Sequence, residues 1–256
     1  MKNDIDEARN WCGNDIDCEA CAHRELRAQG RCELKRACVE DRYARRIDRF
    51  FDQNQSLADR YLGHPHFETR AIAAKYASVF LVPALLNDPD ETVRWNAAQR
   101  LPKRYLLGLR EDPHREVRIR VAARLGSDEL RPMVRDSDYY VRLTVARRIA
   151  PSMLPQMMLD SEVEVRRAVA RRIDPRWLIH MAADHDAEVR LEAAHRLAPN
   201  QLGGLRNDPD WRVRHHVASQ IGLPELSEMQ GDGDPLVRDV VRMRLTMEMV
   251  ELESGR

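Results

Sequence analysis

The sequence predicts an all-α protein: a helical solenoid preceded by a small Cys-rich segment. Three observations predict it. One register recurs every 24 residues over most of the 256-residue chain, and a fixed period of this size marks stacked repeats. Within each copy apolar residues fall at helical spacing, and runs of β-branched or aromatic residues are absent. All five Cys lie between Cys12 and Cys38, which sets the start of the chain apart from the rest.

Composition narrows the function classes. The chain carries 42 Lys+Arg against 42 Asp+Glu, with 33% charged and 43% hydrophobic residues. That is enough apolar content for a core, and the charge balance argues against a surface that is one continuous clamp for nucleic acid or membrane. No run approaches the roughly 18 apolar residues of a membrane helix. Asp4, Asp6 and Glu7 make the start too polar for a signal peptide. The expectation is a cytoplasmic protein without a membrane partner. Only four basic residues are Lys and the other 38 are Arg.

The repeat reads in order from its Asp. Asp88, Asp112, Asp136, Asp160, Asp184, Asp208 and Asp232 open seven copies, and a degenerate eighth begins at His64. Pro often follows, as at Pro89, Pro113 and Pro209, so the Asp is expected to be the N-cap and the Pro the first helical residue. Val93, Val117, Val141, Val165, Val189, Val213 and Val237 come next, each followed by Arg. An Ala column (Ala98, Ala122, Ala146, Ala170, Ala194, Ala218) lets helices approach closely. This stretch predicts an α-helix of about 12 residues. The remainder carries apolar pairs three apart, such as Leu130 with Met133 and Leu154 with Met157; that spacing suits a short 3₁₀ helix.

The unit Asp-Pro-x-x-x-Val-Arg-x-x-Val-Ala-x-Arg-Leu, closed by a short Leu segment, resembles the leucine-rich repeat variant family. The resemblance covers residues 64–256, with Arg242 replacing the small residue in the last copy. It implies α and 3₁₀ helices alternating in a right-handed superhelix. The first half of the unit also looks like a HEAT-like repeat, but the constant 24-residue period favours the variant. The expected division is 1–63 for a Cys-rich domain with a capping helix and 64–256 for eight repeats.

The thiols run Cys12-x5-Cys18-x2-Cys21-x10-Cys32-x5-Cys38. Cys18 and Cys21 have the usual chelating bite, and Cys32 and Cys38 complete a four-thiolate set across a loop turning at Gly30. His23, Arg24, Arg27, Arg31, Lys35 and Arg36 lie among them and would offset a negative centre. Spacing alone leaves structural zinc and an iron–sulfur cluster open. The stretch from Cys18-Glu19-Ala20-Cys21 through Gly30-Arg31-Cys32 and Ala37-Cys38-Val39 to Asp41-Arg42-Tyr43 resembles the iron–sulfur domain that precedes such repeats. The resemblance implies a 4Fe-4S cluster on Cys18, Cys21, Cys32 and Cys38, with Cys12 spare or exchanging with Cys38. A helix over Asp41 to Leu62 is expected to cap the solenoid through Tyr43, Ile47, Phe50, Phe51, Leu57 and Tyr61.

Two Arg columns remain. Arg70 to Arg238, beside the Val column, either pair with the Asp column or bind an acidic partner. Arg100, Arg124, Arg148, Arg172, Arg196 and Arg244 suit helix C-termini, or form a basic stripe. The nine His lack metal-ligand spacing. Phosphate-loop, dinucleotide and nucleophile-elbow motifs are absent, as is a radical Cys-x3-Cys-x2-Cys run. The expected function is a non-enzymatic binding or scaffold protein with a structural or sensing cluster. Its partner would be an acidic protein or a nucleic acid on the Arg-rich solenoid face, with no small-molecule substrate. The alternatives are an electron-transfer protein docking through the solenoid and a zinc-stabilised scaffold. An enzyme would need an iron without a Cys ligand. Family members occur in nitrogen-fixing bacteria, which points to a process and not to a mechanism.

Overall fold

The computed structural model describes residues 7–254, with side chains to residue 247; Asp4 and Asp6 lie outside the described residues. The chain divides into two compact units, Met1–Leu125 and Gly126–Arg256. The boundary expected at residue 63 falls inside the first.

In the first unit, α1 (Arg24–Ala28) lies in the Cys-rich segment and α2 (Ala44–Gln53) follows it. A 3₁₀ helix, Gln55–Tyr61, leads to α3 (Phe67–Tyr76). Then α4 (Glu91–Arg100) and α5 (Arg115–Arg124) alternate with 3₁₀ segments Val82–Asn87, Lys103–Tyr105 and Leu107–Glu111. The single helix expected over Asp41 to Leu62 is therefore two. Buried Asn54 breaks it, its Nδ2 donating to the carbonyls of Arg31 and Phe50 at 2.8 Å each, so the chain turns where the side chain ties the loop at Arg31 to the end of α2. Ile47, Phe50 and Phe51 are fully buried and share one core with Cys32, Val39, Ala73 and Ala77. The Cys-rich segment is thereby fixed to the first repeat helix, and Asp48 adds bonds to Lys75 and Tyr76.

In the second unit, α6 (Tyr139–Ala146), α7 (Val163–Ala170), α9 (Ala187–Ala194), α10 (Trp211–Gln220) and α12 (Pro235–Ser254) are the repeat helices, separated by 3₁₀ segments such as Asp128–Arg135, Pro151–Met157 and Pro199–Leu205. Two of these intervals end in α-helix instead, at α8 (Leu178–Met181) and α11 (Leu223–Ser227). There the amides of Ala182 and Leu226 reach back four residues, to Leu178 and Gly222. Over one turn this changes only the closing bond, and the apolar pairs stay buried. Between α3 and α12 the α-helices of the repeats are 8 or 10 residues long, shorter than expected.

The helices start late because the Asp column is not the N-cap. Asp88, Asp160, Asp184, Asp208 and Asp232 turn inward, each accepting the amide two residues on at 2.8–3.0 Å. The N-cap is that second residue. Asp90, Asp138, Asp186 and Asp210 accept from first-turn amides, whereas His114 and Glu162 make no such bond. Pro89 and Pro113 therefore precede the cap. The Val column is fully buried, as are Leu130, Leu154 and Leu178 in the second layer. The small Ala column is buried too, so neighbouring backbones close on it. Among the described residues β-structure is limited to isolated bridges, and no helix is long and apolar enough to cross a membrane.

Candidate metal centre

The thiols are placed by local turns. Asp17 Oδ1 accepts the amides of Glu19 and Ala20 at 2.9 and 3.2 Å, bending the chain around Cys18. Cys21 Sγ accepts the His23 amide at 3.4 Å as α1 begins. Helix α1 ends at Gly30, whose φ of 71° no side chain adopts cheaply. There the amide of Arg31 bonds to the Leu26 carbonyl and that of Gly30 to the Arg27 carbonyl, the pairing of a Schellman stop. The chain leaves that stop into Cys32. Glu33 and Ala37 then exchange both backbone hydrogen bonds at 2.9 Å, closing a loop through Lys35 at φ 66°. Residues flanking such a pair face each other, so Cys32 and Cys38 meet.

Cys32 and Cys38 are buried, Cys18 and Cys21 half-buried, and Cys12 is exposed; all five are free thiols. Cys32 and Cys38 share a hydrogen bond, which with burial holds the Cys38 proton far above the usual thiol range. The same bond favours the Cys32 thiolate. Burial, followed by the charges of Cys38, Glu40 and Cys18, pushes the Cys21 thiol up against the opposing His23 amide. Cys21 and Cys18 likewise act on Cys32. Cys21 and Cys38 are thus held as thiols while Cys32 is favoured as the thiolate. Soft thiolates on both sides of a loop fit a thiolate-bound metal or cluster. Among the described residues no three His, Cys, Asp or Glu side chains are close enough to hold one metal ion.

Of the basic residues expected to offset the centre, Arg27 favours the Cys32 thiolate. Others are engaged elsewhere: Arg36 with Glu33 at 3.1 Å, and Arg31 with the Gln53 carbonyl at 3.0 Å. Sequence reasoning missed two supports. Fully buried Asp41 pairs with Arg46 at 3.0 Å, holding the segment after Cys38 on α2. Tyr61, expected only as an apolar contact, hydrogen-bonds His23. The signal for the second was available, because a buried tyrosine hydroxyl requires a partner.

Both Arg columns are occupied. In the first unit Arg70 and Arg94 grip Asp88 and Asp112, with Nε to Oδ2 at 2.7 Å. In the second unit Arg142, Arg166, Arg190 and Arg214 grip Asp160, Asp184, Asp208 and Asp232 in the same way at 2.7 Å. A second nitrogen bonds the other carboxylate oxygen, as between Arg166 and Asp184 at 3.0 Å. The second column caps carbonyls one repeat back. Arg100 reaches Ala74 at 2.7 Å, Arg172 reaches Ala146 and Ile149 at 2.7 and 2.9 Å, and Arg244 reaches Ala218 and Ile221 at 2.9 and 2.8 Å.

Comparison with known proteins bears on the two parts of the chain separately. Residues 8–60 match the family described as "LRV protein FeS4 cluster". A curated protein of Rhodobacter capsulatus, described as an uncharacterized 27.7 kDa protein in the nifB 3' region, is 51% identical over 96 residues. That match spans 38% of this chain and 39% of the relative. A solved structure described as a leucine-rich repeat variant with a novel repetitive protein structural motif is 42% identical, with a TM-score of 0.84. It covers 89% of this chain, which in turn covers 97% of it.

Proposed function

Because this chain belongs to the leucine-rich repeat variant family and carries its iron–sulfur segment, we propose that it is a non-enzymatic scaffold of the cytoplasm. In this reading a 4Fe-4S cluster on Cys18, Cys21, Cys32 and Cys38 braces or conditions the start of a repeat surface that docks an acidic partner. What supports it is the iron–sulfur family match over residues 8–60, together with Cys32 packed on the core that joins α2 to α3 and hydrogen-bonded to Cys38. Cys12 stands exposed on a separate turn. A bound cluster would supply four Fe–S crosslinks and a redox-active centre. Loss of that centre would loosen the packing of Cys32 against Phe50 and Phe51, and so the seat of α3. The iron–sulfur family match supports a cluster, and nothing in the comparisons supports the zinc alternative.

One observation favours electron transfer as a second reading. Aromatic rings lead outward from the thiols: His23 bonds Tyr61, Tyr61 lies 5.8 Å from His64, and His64 lies 6.1 Å from the partly exposed Trp11.

The test is iron, sulfide and zinc analysis of protein purified without oxygen, followed by redox titration. About four irons and four sulfides per chain support the proposal, whereas one zinc and no sulfide contradict it. Reversible reduction selects the second reading and a redox-silent cluster the first.

A further inference from the structure

An acidic partner needs guanidinium groups that the columns do not provide. The second unit offers them elsewhere, in a cavity of about 200 Å³ lined by Arg147, Glu164, Arg167, Ala168, Arg171 and Arg172. Four Arg and one Glu line it, with Glu188 and Glu192 beside two of the Arg. Arg172 is held on the carbonyls of Ala146 and Ile149. Arg167 reaches Glu188 and Glu192 at 3.3 and 3.5 Å, yet its buried Nε has no hydrogen-bond partner. Arg171 also turns to Glu192. Exposed Arg147 makes no side-chain hydrogen bond or ion pair among the described residues. A recess of this kind strengthens a charge-assisted bond relative to open water, and the guanidinium fork matches a carboxylate.

We propose that this cavity seats a glutamate or aspartate side chain from an acidic protein segment. The inference rests on the reading of the repeats as a docking surface and gives that reading a location. The charge pattern favours protein over nucleic acid. Glu164 lines the recess and Glu188 and Glu192 border its Arg residues, so a continuous line of phosphates would run into carboxylates. A single carboxylate avoids them, and Glu164 is left to receive a donor from the same segment.

The test uses the full chain and a fluorescent glutamate-rich peptide, read by anisotropy at low and at physiological salt. Saturable, salt-sensitive binding is expected, weakened about tenfold or more by Arg147→Glu and strengthened by Glu164→Lys. Equal binding by wild type and Arg147→Glu overturns the proposal, as does no binding by wild type. Tighter binding of a single-stranded oligonucleotide of equal charge transfers the site to nucleic acid and overturns the protein assignment. Arg147→Glu breaks no side-chain hydrogen bond or ion pair among the described residues, so its melting temperature and iron content should match wild type; if it does not fold, Glu164→Lys alone decides, and unchanged binding there overturns the proposal. Iron-free wild type that binds the peptide would defeat the cluster reading alone. Cluster-bearing wild type that ignores the peptide would defeat this inference alone.

Discussion

Arg166 and Asp184 show what the repeated charges do. Their side chains are 11% and 8% exposed and meet through paired short hydrogen bonds, while a third nitrogen of Arg166 donates to the Asp160 carbonyl at 2.8 Å. Burial raises the Asp184 carboxyl, but the bonds from Arg166 and from the Asp186 amide outweigh it and hold the group below its ordinary value. Asp184→Asn leaves a buried guanidinium without its counter-charge, and we expect a loss of about 3–5 kcal/mol in urea unfolding at pH 7. The sign of the pH dependence follows. A carboxyl depressed in the folded state stabilises fully above its unfolded pKa, about 3.9, and loses that contribution as pH falls through the folded value. The gap between wild type and variant therefore closes below about pH 4. This pairing was legible in the sequence because the Arg and Asp columns share one period. The cap was not: Asp88 and Asp90 are both good cap residues two positions apart, and only the Arg from the previous repeat decides which of them turns inward.

Within the second unit, helices α6, α7, α9 and α10 each end on a residue from the next repeat. Arg172, on the turn after α7, donates to the carbonyls of Ala146 and Ile149 at and just past the end of α6, groups that the helix itself leaves without partners. Arg172→Ala should cost about 1–3 kcal/mol. Hydrogen exchange should show the loss concentrated in the last turn of α6; uniform loss across the second unit would contradict a capping role. Dipole reasoning placed these Arg near helix ends but could not show that they reach across to the previous helix. The alternation of α and 3₁₀ segments was readable from apolar residues spaced by three, and it fails only at α8 and α11, where the two helix types differ by one bond. The break at Asn54 was hidden for another reason. Its partner Arg31 is 23 residues away, beyond the reach of local pattern.

At the scale of the molecule, equal numbers of acids and bases do not mean scattered charge. Both Arg columns are fixed inside the repeats by the Asp column and by helix-end carbonyls. The Cys-rich segment shares a core with the first repeat helix, so a change at the thiols is felt directly at α3. Spacing identified four plausible thiols among five, but only the folded loop brings Cys32 against Cys38 and leaves Cys12 outside.

The most direct test of the cluster assignment compares Cys12→Ser with Cys21→Ser, both purified without oxygen and analysed for iron, sulfide and absorption near 400 nm. The account predicts that Cys12→Ser keeps about four irons and four sulfides per chain and that Cys21→Ser loses most of both. Loss of the cluster in Cys12→Ser with retention in Cys21→Ser would contradict it.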